Sequence, residues 1–207
     1  GTKEGCNEGD CGACTVMVTD ERGARALNAC ILFLPQLMGK SVRTVEGIAA
    51  PDGTLHPAQA ALVEHHGAQC GFCTPGFVVS MATDHLNGST DHDTTLAGNL
   101  CRCTGYAPIV RAAKSIEGAP VPPHLKEAPP RLAPPSSGNA LEAGPGPSRA
   151  GDGLGALPQS SDDLAAWALE NPEGTIIAGA TDVGRWVTKD FADLGPVAFL
   201  HGNTPNL

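Results

Sequence analysis

The 207-residue sequence predicts an α+β protein built from several domains, because its residue patterning changes three times along the chain. Short apolar runs separated by glycine and charged residues fill 1–50, and helical patterning fills 51–118. A Pro/Gly-rich stretch covers 119–157, and strand and helix patterns return in 158–207. These changes set the predicted domain boundaries.

The charge balance narrows the classes of partner. The chain has 13 Lys and Arg residues against 22 Asp and Glu residues, a formal net charge of −9. We therefore expect neither nucleic acid nor a membrane surface as a partner. No apolar run approaches the roughly 18 residues of a membrane span, and we find no signal peptide, so we expect a cytoplasmic protein. Because the chain opens on Gly1 rather than on Met, we also expect missing N-terminal residues.

The first region is predicted to be a small α+β unit. The segments Cys14–Asp20 (CTVMVTD) and Ser41–Gly47 (SVRTVEG) are rich in β-branched residues and predict strands. Between them, Asn28–Gly39 is apolar enough to be buried, but its pattern leaves the type of structure open.

The second region predicts four helices. HPAQAALVEHHG begins with a proline in its first turn and ends before Gly67. TPGFVVSMATDHLNG repeats this pattern, with Thr74 as N-cap and Gly88 as terminator. A weaker helix is expected before Asn99, and a fourth over Ala107–Gly118.

The remaining chain predicts a linker followed by the start of another domain. Residues 119–157 are too rich in Pro, Gly, Ser and Ala to bury a core. After them, a helix capped by Ser160 or Ser161 precedes a strand, a Gly-rich turn and a helix in GTIIAGATDVGRWVTKD, and then the strand VAFL. About fifty residues rarely complete a domain, so we expect 158–207 to be truncated.

Three cysteines lie within nine residues of the segment GCNEGDCGACTV. The spacing Cys6-x4-Cys11-x2-Cys14, with Cys30 further along, is the plant-type arrangement of 2Fe–2S ligands. The interleaved glycines (Gly5, Gly9 and Gly12) would let the backbone approach a cluster closely. Zinc is the alternative, but zinc sites favour paired Cys-x2-Cys knuckles. Disulfides are disfavoured because cysteines as close as Cys101 and Cys103, which flank a single residue, would close only a tiny loop.

The other four cysteines form two pairs, Cys70-x2-Cys73 and Cys101-x-Cys103, each on a loop between predicted helices. Two facing loops could present four thiolates to one point. Spacing alone leaves zinc open at this second set, whereas the first set favours a second iron–sulfur cluster beside it.

The motifs QCGFCTPGFVVSM and GNLCRCTGY, preceded by GTKEGCNEGDCGACTV, resemble the molybdenum hydroxylase family. Within it, the fused Gly-rich third segment is most similar to the small iron–sulfur/FAD subunits of the xanthine dehydrogenase branch. The resemblance covers 1–117 with specific motifs and 158–207 with less specific ones, and the linker matches nothing.

The resemblance implies a β-grasp 2Fe–2S ferredoxin domain, here lacking its first strands, a four-helix 2Fe–2S domain, and the start of an α+β FAD-binding domain. It implies cluster ligation by Cys6, Cys11, Cys14 and Cys30 in the first domain and by Cys70, Cys73, Cys101 and Cys103 in the second. It places Gln69 beside a molybdopterin on a partner subunit. It implies FAD contacts by Ile176, Ile177, Ala178, Gly179, Ala180, Thr181, Asp182 and Val183.

These expectations describe an electron-transfer subunit without catalytic residues of its own. Electrons from a molybdopterin site on a large partner subunit would pass through two 2Fe–2S clusters to FAD and NAD during xanthine or hypoxanthine oxidation. The FAD site would be incomplete in this chain. Two alternatives stay open, namely the iron–sulfur subunit of an aldehyde or carbon monoxide oxidising molybdenum enzyme, and a zinc-stabilised interaction module.

Overall fold

The computed structural model describes residues 1–133 and 155–200, which form two compact units. Unit 1 comprises Gly1–Cys30 and Gly39–Leu132, and unit 2 comprises Ile31–Met38, Ala133 and residues 155–200. Most of the predicted linker, residues 134–154, lies outside the described residues.

Unit 1 contains a three-stranded antiparallel sheet. Strand β1 (Thr15–Asp20) lies in the centre, between β2 (Gly23–Asn28) and β3 (Ser41–Arg43). The pairing Thr15 to Asn28 aligns the start of β1 with the end of β2. The predicted first strand is confirmed, whereas β2 was not predicted, because its alternating Ala and Arg residues carry little apolar signal.

The other expectations for the first region need correction. The strand expected over Ser41–Gly47 ends at Arg43, and Val45–Gly47 forms a 3₁₀ turn. The undecided segment Asn28–Gly39 contains two short 3₁₀ helices, Ala29–Ile31 and Leu34–Leu37.

The four predicted helices of unit 1 are confirmed. They are α1 (Pro57–Glu64), α2 (Thr74–Asn87), α3 (His92–Ala97) and α4 (Ala107–Ser115). Gly88 ends α2 in the left-handed region, with φ 69°, as predicted. Thr74 is the first helical residue rather than the N-cap, which is Cys73.

The sheet and the helices of unit 1 share one hydrophobic core. Met17 of β1 and Ala24 of β2 are buried together with Phe77 and Met81 of α2 and Ile109 of α4. The predicted first and second regions are therefore packed on each other rather than separate.

The linker begins later than expected. Residues 119–132, here called the strap, belong to unit 1 and contain the short helix α5 (Pro123–Lys126). Leu125 is 3% exposed in the core, and the Leu132 N–H donates to the Lys40 carbonyl at 2.8 Å. Because 119–132 contains apolar residues that reach the core, its proline content does not make it a free linker.

Unit 2 contains α6 (Ser161–Glu170), β4 (Thr175–Ile177), α7 (Val183–Asp190) and β5 (Val197–Phe199). Strands β4 and β5 are parallel, and Ser160 caps α6 through the Asp163 N–H. Phe33 packs edge-on against Phe199, with ring centroids 5.6 Å apart. Across the described ranges, no helix has the length and apolar character needed to cross a bilayer.

Candidate metal centres

The first four cysteines lie at one end of the sheet in unit 1. The N–H of Cys6 donates to Cys11 Sγ at 3.4 Å, and the N–H of Cys11 donates to Cys6 Sγ at 3.3 Å. Cys14 directly precedes β1 and Cys30 follows β2, so the pairing of these strands brings the two together. The Cys30 N–H donates to Cys14 Sγ at 3.4 Å.

The second four cysteines lie on the loops that precede α2 and α4. Cys103 Sγ and Cys70 Sγ are 3.3 Å apart, and both side chains are exposed. Cys73 and Cys101 are less exposed and interact through their side chains. The loop that carries Cys101 is braced by the Tyr106 hydroxyl, which accepts the Cys101 N–H at 2.9 Å.

The thiols differ in how readily they lose a proton. Burial raises the pKa of Cys30 to about 12, and contact with the Cys14 side chain adds to this. Burial likewise raises the pKa of Cys73 to about 12, with a contribution from Cys101. Burial also disfavours the Cys6 thiolate, but hydrogen bonds from nearby backbone N–H groups outweigh it and lower the pKa of Cys6. Metal binding at these sites would have to displace protons from Cys30 and Cys73.

The cysteines of each set approach one another as two pairs. The pairs are Cys6 with Cys11, Cys14 with Cys30, Cys70 with Cys103, and Cys73 with Cys101. A 2Fe–2S cluster takes two thiolates at each of its two irons, whereas zinc needs four ligands around one ion. The paired donors fit the dinuclear cluster.

The glycines of the first loop do more than leave space for a cluster. Gly12 has φ +69°, which favours glycine, and a β-carbon there would overlap the Gly98 carbonyl oxygen. A β-carbon on Gly5 would stand 2.9 Å from Cys11 Sγ and 3.3 Å from the Phe72 ring. The glycines therefore also admit the second cysteine loop, a reason that sequence reasoning missed.

Gln69, which the resemblance places beside a pterin, is exposed next to Cys70. Two large apolar side chains in the two loops of the second set are also exposed, namely Phe72 and Leu100, each 46% accessible. The second cysteine set therefore lies at a partly apolar surface of unit 1.

The residues expected to contact FAD lie in unit 2 and run from the last two residues of β4, through the connecting turn, to the first residue of α7. Ile177 and Ala180 are buried, whereas Ile176 is 46% exposed. Ala180 has φ +60°, and its carbonyl accepts the Gly184 N–H at 2.8 Å. The segment Ile176–Val183 thus has the strand–turn–helix geometry that the sequence predicts.

Sequence reasoning also missed a buried polar residue, Asn99, which is 3% exposed. It directly precedes the loop of Cys101 and contacts the loop of Cys11. Its position in GNLCRCTGY, two residues before Cys101, was the only indication in the sequence that Asn99 lies near a cluster site. The sequence does not show that its side chain is buried.

Comparison with known proteins gives matches over the N-terminal part of the chain. Residues 44–114 match the family described as 2Fe-2S binding domain. Mouse (Mus musculus) aldehyde oxidase 3 is 50% identical over 125 residues, which cover 56% of this chain and 9% of that protein. Xanthine dehydrogenase from rice (Oryza sativa subsp. japonica) is 49% identical over 123 residues, which cover 54% of this chain and 9% of that protein.

A solved structure gives a similar result. Quinoline 2-oxidoreductase from Pseudomonas putida 86 matches 60% of this chain and 72% of that chain, with 33% identity and a TM-score of 0.48. By their names these relatives are oxidoreductases, and this chain spans about a tenth of the length of the curated relatives it matches (9% for the mouse and rice proteins).

Proposed function

Because residues 44–114 are a 2Fe-2S electron-transfer domain homologous to the iron–sulfur region of aldehyde oxidase and xanthine dehydrogenase, we propose that this chain is the electron-transfer subunit of a molybdenum hydroxylase. The observation that carries the proposal is the approach of all eight cysteines as four pairs in two sets.

In this proposal each set holds one cluster. The first cluster takes Cys6, Cys11, Cys14 and Cys30, and the second takes Cys70, Cys73, Cys101 and Cys103. A bound 2Fe–2S cluster accepts and releases one electron. The residues of the chain supply the thiolates, donate N–H groups to the sulfurs and keep water from the buried members. Hydrogen bonds of this kind, such as Cys30 N–H to Cys14 Sγ, raise reduction potentials because they stabilise the added negative charge.

The exposed side of the second cluster would be where electrons enter. Cys70 and Cys103 are exposed, as are Gln69 and the apolar side chains of Phe72 and Leu100. A molybdopterin-binding large subunit that covers this surface would place its cofactor beside Gln69, in a cytoplasmic hetero-oligomer.

Electrons would then pass from the first cluster to FAD and NAD. The proposed FAD contacts are Ile176, Ile177, Ala178, Gly179, Ala180, Thr181, Asp182 and Val183. The side chains of Ile177 and Ala180 are buried and anchor this segment in unit 2. A β-carbon on Gly179 would meet no atom within 4 Å, which leaves room for a phosphate beside the backbone.

For the substrate of the complete enzyme we propose a purine, xanthine or hypoxanthine, because of the fused third segment. An aldehyde is the second candidate, since the aldehyde oxidase relative is 50% identical over 125 residues and the xanthine dehydrogenase 49% over 123 residues, so identity does not separate them. Turnover of xanthine against aldehydes by the complex of this chain with its catalytic subunit decides between them.

Metal analysis tests the electron-transfer proposal itself. Protein purified without oxygen should contain about four iron and four sulfide ions per chain and absorb visible light. About two zinc ions per chain, with no visible absorbance, would instead support a zinc-stabilised module.

A further inference from the structure

A backbone hydrogen bond connects the loop that carries Cys11 with the loop that carries Cys101. The Leu100 N–H donates to the Cys11 carbonyl oxygen at 2.9 Å. Leu100 directly precedes Cys101 of the second set, and Cys11 belongs to the first set. A path therefore runs from Cys101 Sγ along the peptide to the Leu100 N–H, across this bond, and from the Cys11 carbonyl to Cys11 Sγ.

The side chain of Asn99 fixes this contact from the adjacent position. Its Nδ2 donates to the Gly12 carbonyl at 2.9 Å and to Thr15 Oγ1 at 3.2 Å. Its Oδ1 accepts from the Ser80 hydroxyl at 2.6 Å. One buried amide thus joins the first cysteine loop, the start of β1 and helix α2.

The orientation of the amide follows from the surrounding hydrogen bonds. The Thr15 hydroxyl donates to the Gly12 carbonyl at 2.6 Å, so its oxygen is left to accept from Asn99. Both groups facing Nδ2 are therefore acceptors, which is consistent only with the NH₂ on that side. Each polar atom of this buried side chain has a partner, and loss of the amide would leave the Gly12 loop less firmly held.

We propose that Asn99 is a positioning residue for electron exchange between the two clusters, and that the exchange passes through the hydrogen bond from Leu100 to Cys11. This inference rests on the proposed function. Cys101 would help to hold the donor cluster and Cys11 the acceptor cluster, and the peptide of Leu100 with the Cys11 carbonyl would carry one electron from the donor, which is oxidised, to the acceptor, which is reduced. No covalent bond forms or breaks, and no proton moves.

The physical reason is that electronic coupling weakens less along bonded atoms and hydrogen bonds than across a gap without contact. A hydrogen bond that opens part of the time interrupts the path, and electron exchange slows accordingly. The buried amide of Asn99 keeps the bond closed, because the carbonyl next to Cys11 cannot move away without leaving polar groups unpaired.

The test compares Asn99→Ala with Ser80→Ala in the complete chain carrying both clusters. Ser80→Ala removes one hydrogen bond of the same amide but leaves the contacts of Asn99 with Gly12 and Thr15. Two quantities are measured, namely hydrogen–deuterium exchange at the Leu100 amide and the rate of electron exchange between the clusters after rapid partial reduction.

We expect Asn99→Ala to keep both paramagnetic signals and to speed Leu100 exchange on the order of tenfold. Electron exchange should slow by about twofold or more, because the hydrogen bond is longer on average once the amide no longer holds the Gly12 carbonyl. Ser80→Ala should lower thermal stability to a comparable degree and leave both rates near those of the wild type. If Asn99 only stabilised the fold, Asn99→Ala and Ser80→Ala would give the same electron-exchange rate at the same loss of thermal stability.

Unchanged electron exchange in Asn99→Ala, despite faster Leu100 exchange, would overturn the proposal. If Asn99→Ala does not hold both clusters, Thr15→Val removes one acceptor of the amide with little change in volume, and should slow electron exchange in the same direction. An unchanged rate there would also overturn it. A wild-type chain that binds no iron contradicts the proposed function instead, so the two failures are distinguishable.

Discussion

Gly76 lies so close to the carbonyl oxygen of Gly12 that a β-carbon on Gly76 would overlap that oxygen. Gly76 lies in the first turn of α2, shortly after Cys73, and Gly12 lies between Cys11 and Cys14. The two proposed cluster sites are thus held in contact by a glycine on each side, in addition to the bonds made by Asn99.

Gly76→Ala should push helix α2 away from the loop that carries Cys11 and Cys14. Because the overlapped atom is backbone rather than a flexible side chain, we expect a loss of about 1–3 kcal/mol in stability. Thermal unfolding monitored by circular dichroism measures this, and weaker iron retention should accompany it.

Gly98→Ala is the matched control for that variant. Gly98 belongs to the same contact region, has φ −74°, and a β-carbon there would meet nothing within 4 Å. We expect its stability to stay within about 0.5 kcal/mol of the wild type. Equal losses of stability in Gly76→Ala and Gly98→Ala would show that the close contact between Gly76 and the Gly12 carbonyl does not contribute to stability.

Local signals explain what the sequence could predict of the fold. Helices α1, α2 and α4 each have proline in the first turn, and Gly88 ends α2 in the left-handed region, so they were found. Strand β2 was missed because GARALN forms a strand through its hydrogen bonds to β1 and shows no clear apolar alternation.

Long-range contacts explain what could not be predicted. The strap was interpreted as linker because prolines dominate its composition, although Val121 and Leu125 pack against the core. The burial of Asn99 and of His56 depends on neighbours distant in sequence, and no local pattern reports it. Cysteine spacing, by contrast, indicated which cysteines lie together, because loops of fixed length limit where each thiol can reach.

The N-cap of α1 predicts a pH dependence of stability. His56 is fully buried, and its Nδ1 accepts the Ala58 N–H at 3.0 Å. Its Nε2 lies 3.4 Å from His85 Nδ1. Burial, together with the nearby His85 and His124, lowers the pKa of His56 from 6.5 to about 4.

Between pH 6.5 and about pH 4 the unfolded chain therefore binds a proton at His56 that the folded chain does not bind. Stability should fall from pH 6.5 to about pH 4 and lose nothing more from this group at lower pH. At roughly 1.4 kcal/mol per pKa unit, the total is at most about 3.5 kcal/mol. Denaturant unfolding across this pH range measures it.

His56→Asn is the comparison for the pH experiment. Asparagine can cap the helix through its side-chain oxygen but does not titrate, so the variant should show a shallower loss of stability between pH 6.5 and 4. Parallel curves for the variant and the wild type would contradict the role of His56.

The packing of the strap predicts that residues 119–132 stabilise unit 1. Leu125→Ala should lower the free energy of unfolding by about 2–5 kcal/mol, because it leaves a cavity in the shared core. Leu132→Ala is the control, since that side chain is 40% exposed and the strap is held there by backbone hydrogen bonds. Similar small losses at both positions would mean that the strap is not part of the unit.

The central claim, two separate iron–sulfur centres with the proposed ligands, is tested most directly by electron paramagnetic resonance of reduced protein. The wild type should give two distinct signals, Cys11→Ser should lose or alter one of them, and Cys103→Ser the other. Loss of both signals in either variant, or retention of both unaltered, would contradict the division of the eight cysteines into two sets.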